Sequence, residues 1–204
     1  VGDCVFILEA ENNSGGDRFN PRIELKQDGG STFSRWSEAP IIERNIVNPF
    51  INTAPWVIKD GDQFKMYYVA GCEWIHTDLP RYNIQFAFSK DGKNWKRNGD
   101  VAIDFEGHEN ALARPYVTMM GNEYKMWFSS KGENYVAKYA ISKDGLNWDR
   151  HPFPPGLEPS LNGIDDEMIC YPIVINHGGK LFVFYNGNGY GIDGICLATL
   201  DGNF

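Results

Sequence analysis

The chain has 204 residues, with 19 Lys and Arg against 27 Asp and Glu, a net charge of −8 and a pI near 5.0. That balance argues against nucleic acid or an anionic membrane surface as the main partner, and a content of 42% apolar, 14% aromatic and 23% charged residues describes a folded domain, not a disordered or collagen-like chain. No apolar run approaches the roughly 18 residues that a membrane-spanning helix needs.

The chain opens on Val1, and no charged-then-apolar leader precedes Cys4-Val5-Phe6-Ile7-Leu8, so the N-terminal part is read as incomplete and a leader stays open. Cys4, Cys72, Cys170 and Cys196 are far apart, lack a C-x-x-C pair and sit beside apolar stretches. They are expected to be buried reduced thiols, which favours a cytoplasmic setting.

Taken in order, Ile23 to Trp36 around the turn Asp28-Gly29-Gly30 reads as the second half of a four-stranded unit. A complete unit follows. Ala54-Pro55-Trp56-Val57-Ile58 turns at Asp60-Gly61 into Phe64-Lys65-Met66-Tyr67-Tyr68, and Tyr82 to Ser89 then turns at Asp91-Gly92 and runs on to Trp95. The pattern repeats as Arg114-Pro115-Tyr116-Val117-Thr118, Gly121-Asn122, Tyr124-Lys125-Met126-Trp127-Phe128, then Tyr135 to Ser142, Asp144-Gly145 and Trp148. A last copy runs through Tyr171-Pro172-Ile173-Val174-Ile175, Gly178-Gly179 and Leu181-Phe182-Val183-Phe184-Tyr185, with Ile195 to Leu200 as a third strand.

The prolines Pro55, Pro115 and Pro172 are 60 and 57 residues apart, and the two Ser-Lys-Asp-Gly-x-Asn-Trp hairpins start 53 apart at Ser89 and Ser142. Two linked hairpins per repeat, with no helical periodicity, predict an all-β chain: a β-propeller of four-stranded antiparallel blades. The units fall at about 1–40, 50–100, 110–152 and 165–204 of one domain spanning 1–204, about three and a half blades. A five-bladed ring at this repeat needs about 285 residues, so N-terminal strands are expected elsewhere, or an open blade edge self-associates.

In a propeller the first strand of each blade is innermost, so residues before strand one and the loops between strands two and three emerge on one face. That gathers Glu106, His108, Glu109, Asn110 and Arg114, and Asp165, Asp166, Glu167 and Tyr171. The two-to-three loops add Glu11, Asp17, Arg18, Glu73, Trp74, His76, Arg81, Tyr82, Ser129, Ser130, Lys131, Asn186, Asn188 and Tyr190. Carboxylates, amides and flat aromatics at one mouth suit a carbohydrate, and glycosidic cleavage needs two carboxyl groups flanking one bond. Each residue also has a plainer reading. Asp60, Asp91 and Asp144 precede Gly and read as turn formers, and Trp36, Trp95 and Trp148 as packing. Glu167 reads also as part of a solvated acidic loop, and Arg114 as a structural clamp on Glu109 or Asp166. His76, His108, His151 and His177 share no metal-ligand spacing, so neither a metal nor a cofactor is expected.

The x-Pro strand, the Asp-Gly turn and the Ser-Lys-Asp-Gly-x-Asn-Trp hairpin together resemble the five-bladed propellers of glycoside hydrolase families 32 and 43. Ser34-Arg35-Trp36-Ser37, Ala113-Arg114-Pro115, Glu167-Met168-Ile169-Cys170-Tyr171-Pro172 and Tyr185-Asn186-Gly187-Asn188-Gly189-Tyr190-Gly191 are similar to a poorly characterised bacterial subgroup of that superfamily, linked with surface-polysaccharide pathways. The family places its catalytic carboxylates beside the strand-one proline. Here those places hold Ala54, Arg114 and Tyr171, preceded by Thr53, Ala113 and Cys170, so no family carboxylate carries over. The resemblance implies a glycosidase-like protein, and the carboxylates gathered at the mouth suggest Glu167 as proton donor with Glu109 or Asp166 as second carboxylate. Arg114, Trp74, Tyr82, Tyr171, Asn186, Asn188 and Tyr190 would bind sugar. The alternatives are a non-catalytic carbohydrate-binding propeller and a protein-interaction scaffold.

Overall fold

The computed structural model describes residues 6–10, 21–25, 34–154 and 156–201. Cys4, the loop residues Glu11, Asp17 and Arg18, and the Asp28-Gly29-Gly30 turn lie outside them. Strands β1 (Phe6–Ala10), β2 (Pro21–Leu25) and β3 (Ser34–Arg35) form one antiparallel sheet. Strands β4 (Asn52–Asp60), β5 (Gln63–His76), β6 (Leu79–Ser89) and β7 (Val101–Ile103) form the next unit, in that order of pairing. Strands β8 (Ala111–Met120), β9 (Glu123–Lys131), β10 (Tyr135–Ser142) and β11 (Asp149–His151) repeat it. Strands β12 (Cys170–His177), β13 (Lys180–Asn186) and β14 (Ile195–Asp201) form the last sheet. One parallel pairing, Tyr82 opposite Ala111, joins the second unit to the third. The result is the all-β propeller architecture with four-stranded antiparallel blades.

The strand boundaries differ from expectation in the second unit, whose fourth strand begins beyond Trp95. After the Asp-Gly turn the chain makes only an isolated bridge, Phe88 to Lys96. It then bends at Gly99 (φ 79°), where a Cβ would stand 2.3 Å from Val47 Cγ1, before pairing at Val101. A short α1 (Asn188–Gly191) follows β13, and its Gly189 and Tyr190 are left-handed (φ 57° and 61°), so it is a tight turn more than a helix. No described helix is long and apolar enough to cross a membrane.

The middle strands are buried on both faces because neighbouring sheets sandwich them. Between the second and third units Tyr67, Ile84, Phe86, Leu112, Met126 and Phe128 pack into one core. Between the third and the last, Ala137, Ile169, Tyr185 and Cys196 form one cluster, and Trp127, Tyr139, Val174 and Leu181 another. Trp148 packs against the first of these cores and Trp95 against a further cluster of Ile42, Met66, Tyr68 and Ala87, as expected. Trp36 does not bury: it is half exposed beneath the Lys93 ammonium, 3.7 Å from its ring centre. Cys170 and Cys196 are buried, but Cys72 is exposed, because β5 runs past the sheet at that point into a projecting hairpin. On the far face of the last sheet Ile173, Ile175, Phe184 and Leu197 are all exposed.

Each Ser-Lys-Asp-Gly-x-Asn turn satisfies itself. Asp91 Oδ1 accepts from the Ser89 hydroxyl and from the Lys93 and Asn94 amides at 2.8–2.9 Å, while Asn94 Nδ2 donates to Oδ2. Asp144 repeats every bond with Ser142, Leu146 and Asn147. Both carboxyls are held far below the usual range, first by the amide of the Asn that follows. These are the turn-forming aspartates predicted. Asp60 does more. It pairs at 2.8 Å with the buried Lys65, whose ammonium also donates to the Asp144 carbonyl at 2.6 Å, latching the second unit to the third.

A bulge in each inner strand matters most. The register slips at Ala54-Pro55, Arg114-Pro115 and Tyr171-Pro172, and the residue before each proline is left-handed, with φ of 45°, 51° and 58°. Proline removes a ladder donor there and restricts its predecessor. A left-handed L-residue costs about 1–2 kcal/mol, so surrounding packing sustains three strained positions.

Ala54→Gly is therefore expected to leave stability unchanged or raise it by up to about 1 kcal/mol, while Ala54→Val lowers it by about 2 kcal/mol, as read by urea unfolding. A second expectation concerns acid. The Asp60 carboxyl lies below its ordinary 3.8, chiefly through the Lys65 hydrogen bond. Its contribution is complete above that value and lost as pH falls through the folded pKa. Asp60→Asn should cost about 2 kcal/mol at neutral pH, and the deficit relative to wild type should shrink below about pH 4.

Candidate functional site

The inner strands β4, β8 and β12 lie side by side and enclose a cavity of about 890 Å³, within the roughly 300–1,000 Å³ range of small-molecule sites. The three bulges form its wall: Thr53, Ala54, Pro55 and Trp56 from β4, Ala113 to Tyr116 from β8, and Tyr171 to Ile173 from β12. Pro80 and Tyr82 from β6, Tyr135 from β10 and Asn186 from β13 complete the lining, with Ile51 and Val69. Among these residues Arg114 carries the only charge.

The wall is aromatic. Tyr82 and Tyr135 share a short hydroxyl–hydroxyl bond, Tyr135 meets Tyr171 at 5.6 Å between ring centres, and Tyr190 stacks on Tyr171 at 6.5 Å and 27°. Trp56 donates its indole N–H to the Val117 carbonyl at 2.6 Å and lies 4.3 Å from Tyr116. Burial raises the phenols of Tyr82 and Tyr135 and pushes Tyr171 up to about 12, so all three stay protonated near neutral pH; one of the Tyr82–Tyr135 pair spends its O–H on the other, which leaves one donor from that pair and one from Tyr171. Arg114 projects from its left-handed backbone with its guanidinium 5.2 Å from the Tyr171 ring centre.

The predicted carboxylates stand apart from this lining. Glu109 accepts from Arg150 Nη1 and Nη2 at 3.0 and 2.7 Å, from the Ser130 hydroxyl and from the Glu106 amide at 2.8 Å. Burial works to raise its pKa, but these donors outweigh that and hold it below the usual range. Every lone pair of Glu109 is thus occupied, and its partner is Arg150, not Arg114. Asp166 accepts from Asn188 Nδ2 at 2.6 Å, and that bond lowers its pKa. Glu167 is exposed, and its carboxylate has no recorded partner among the described residues; its amide N–H donates to Asn188 Oδ1 at 2.9 Å. Asp165 accepts from the Tyr185 hydroxyl at 2.6 Å. No cluster of His, Cys, Asp and Glu fit to hold a metal occurs among the described residues.

No protein-family model matches the sequence. The uncharacterized protein Rv1502 of Mycobacterium tuberculosis (strain ATCC 25618 / H37Rv) is 38% identical over 176 residues, which is 85% of this chain and 59% of that protein. A solved glycoside hydrolase superposes on 98% of this chain and 64% of its own with a TM-score of 0.73 at 23% identity. A thermostable family-43 glycoside hydrolase gives 0.74 over 96% of this chain and 67% of its own at 18% identity. The GH32 beta-fructofuranosidase BmSUC1 of Bombyx mori gives 0.61 over 91% and 40% at 15% identity. The fold is that of the glycoside hydrolase propellers. This chain therefore spans about three fifths of its curated relative's length while superposing almost throughout on propellers of the glycosidase kind.

Within that propeller, Arg114, Tyr82, Tyr171 and Asn186 reach one cavity, and Tyr190 joins them through Tyr171. Trp74 is exposed on the β5–β6 hairpin opposite Pro80, which lines the cavity. Asn188 is spent on the chain itself. Its Oδ1 takes the Glu167 and Met168 amides, and its Nδ2 gives to Asp166 and the Gly163 carbonyl, which uses its two donors and two lone pairs. Tyr135, Trp56 and Tyr116 are site residues that the sequence reading passed over. Tyr135 occupies the same repeat position as Tyr82, 53 residues on, and that equivalence was the available signal.

Asn188→Ala is expected to free the segment from Gly163 to Met168. Stability should fall by about 1–3 kcal/mol, and amide exchange at Glu167 and Met168 should accelerate at least tenfold while the β8–β9 amides keep their protection.

Proposed function

We propose that the cavity binds a carbohydrate, as a glycosidase-like propeller whose sugar rests against Tyr82, Tyr135, Tyr171 and Trp56 and whose hydroxyls bond to Asn186 and Arg114. The observation that carries this reading is the lining itself: flat aromatic faces with a few polar groups, where the inner strands converge. The likeness to glycoside hydrolases supports the same class of ligand.

Cleavage of a glycosidic bond is the second reading, favoured by Glu167. It is the one predicted carboxylate whose side chain is unclaimed among the described residues. Glu109 and Asp166 are engaged by Arg150 and Asn188, so a second carboxyl flanking the bond would come from outside the described residues, where Glu11 and Asp17 lie.

Intrinsic fluorescence titration with neutral and acidic oligosaccharides, alongside a reducing-end assay, separates the two. Tyr171→Ala should weaken binding about tenfold, the scale of one lost stacking contact. On the binding reading Glu167→Gln leaves affinity within twofold and no turnover exists to lose. Turnover in wild type that vanishes in Glu167→Gln would establish the second reading, and saturable binding untouched by Tyr171→Ala would remove the cavity from the account.

A further inference from the structure

Among the described residues that line the cavity only Arg114 is charged, and that charge is unspent. Arg114 makes no hydrogen bond or ion pair among the described residues, and its recorded neighbour is the Tyr171 ring. Among the described residues Glu109 is committed to Arg150, Asp166 to Asn188, Glu73 to Arg81 and Asp165 to Tyr185, and the unclaimed Glu167 does not line the cavity. A guanidinium beside an aromatic ring is steadied while its N–H donors remain available, and that donor fork matches a carboxylate or phosphate with two parallel bonds.

Position strengthens the point. Arg114 stands on β8, the middle of the three inner strands, on a backbone strained to φ 51°, between the equivalent Ala54 and Tyr171. Ala54 lines the same cavity with only a methyl group, and Tyr171 supplies a flat neighbour. A second cation attends the same wall, Lys131, whose ammonium is 5.4 Å from the Tyr135 ring centre. The chain as a whole carries a net charge of −8, so a cation at this cavity is not a reflection of a generally basic surface.

We infer that the ligand is a sugar bearing an oxyanion, a carboxylate or a phosphate ester, whose charged oxygens dock on Arg114 while the pyranose or furanose ring lies on the tyrosine wall. This rests on the carbohydrate reading of the cavity and narrows it. No bond is made or broken in the step; the anion exchanges water for the guanidinium fork.

The test is titration of the whole chain by amide-resolved NMR with D-glucuronate, D-galacturonate and glucose 6-phosphate. D-glucose and D-galactose serve as neutral counterparts, and acetate and inorganic phosphate as anions without a sugar. The charged sugars should bind at least about tenfold more tightly than the neutral ones and than the simple anions. Arg114→Gln should erase that margin, bringing the charged sugars to the affinity of their neutral counterparts. Preference for the uronates identifies a carboxylate as the docking group, and preference for glucose 6-phosphate identifies a phosphate ester. Equal affinity for charged and neutral sugars, unchanged in Arg114→Gln, would overturn the inference and leave the carbohydrate reading standing. Simple anions binding as tightly as charged sugars would overturn it too. Should no sugar of either kind shift the cavity amides, the carbohydrate reading itself falls. If Arg114→Gln fails to fold, Arg114→Lys decides: about a fivefold loss for charged sugars, with wild-type affinity declining as salt rises, supports the fork. No loss and no salt dependence refute it.

Discussion

Everything in this molecule turns on a left-handed residue followed by proline, used once in each of three inner strands. A strand that ran straight through would alternate its side chains between the two neighbouring sheets. The bulge interrupts that alternation and points one extra side chain along the channel, at a cost of backbone strain. Ala54, Arg114 and Tyr171 are those extra side chains. The backbone settles where the site is and leaves what it contains to three unconstrained choices. That separation explains how a chain can share the fold of the glycoside hydrolases while filling the three slots with a methyl, a guanidinium and a phenol.

The other ionic groups follow a different logic. Lys65 and Arg150 are buried cations whose partners come from other parts of the repeat: Lys65 takes Asp60 and the Asp144 carbonyl, and Arg150 takes Glu109. Each removes a charge from water only where a carboxylate or carbonyl is already in place, the condition under which burial of an ion is tolerable. The Asp144 and Glu109 contacts join segments that hydrogen-bond ladders do not connect, while Asp60 meets Lys65 across the paired strands β4 and β5. The same saturation that makes Glu109 a good joint makes it a poor proton carrier, since a carboxylate surrounded by four donors stays ionised.

The repeat made most of the fold legible. Pro-containing strands at intervals of 60 and 57 residues and two near-identical hairpin turns placed the first three strands of each unit from β4 onward, and chain topology placed Arg114, Tyr82, Tyr171 and Asn186 near one another. What stayed hidden were properties that depend on neighbours distant in sequence. Nothing local to Glu109 announces that Arg150, from the far end of the same unit, will claim it. Asn188 looked like a ligand amide because its partners, from Gly163 to Met168, precede it by some twenty residues. Gly187 was a usable hint, since a side chain there would strike the Ile164 carbonyl at 2.2 Å. Tyr135 was missed for a simpler reason, that an aromatic strand start reads as core until its counterpart Tyr82 is compared with it.

The self-satisfied Asp-Gly turns bear on how the chain acquires this form. All bonds of the Asp91 and Asp144 turns span three residues or fewer, so closing them requires almost no loop entropy. The inner bulges gain their support only when β4, β8 and β12 meet across more than a hundred residues of chain. Low-contact-order outer hairpins therefore order early, and the channel assembles last. The part of the protein proposed to hold a sugar is also the part that folding leaves until the end.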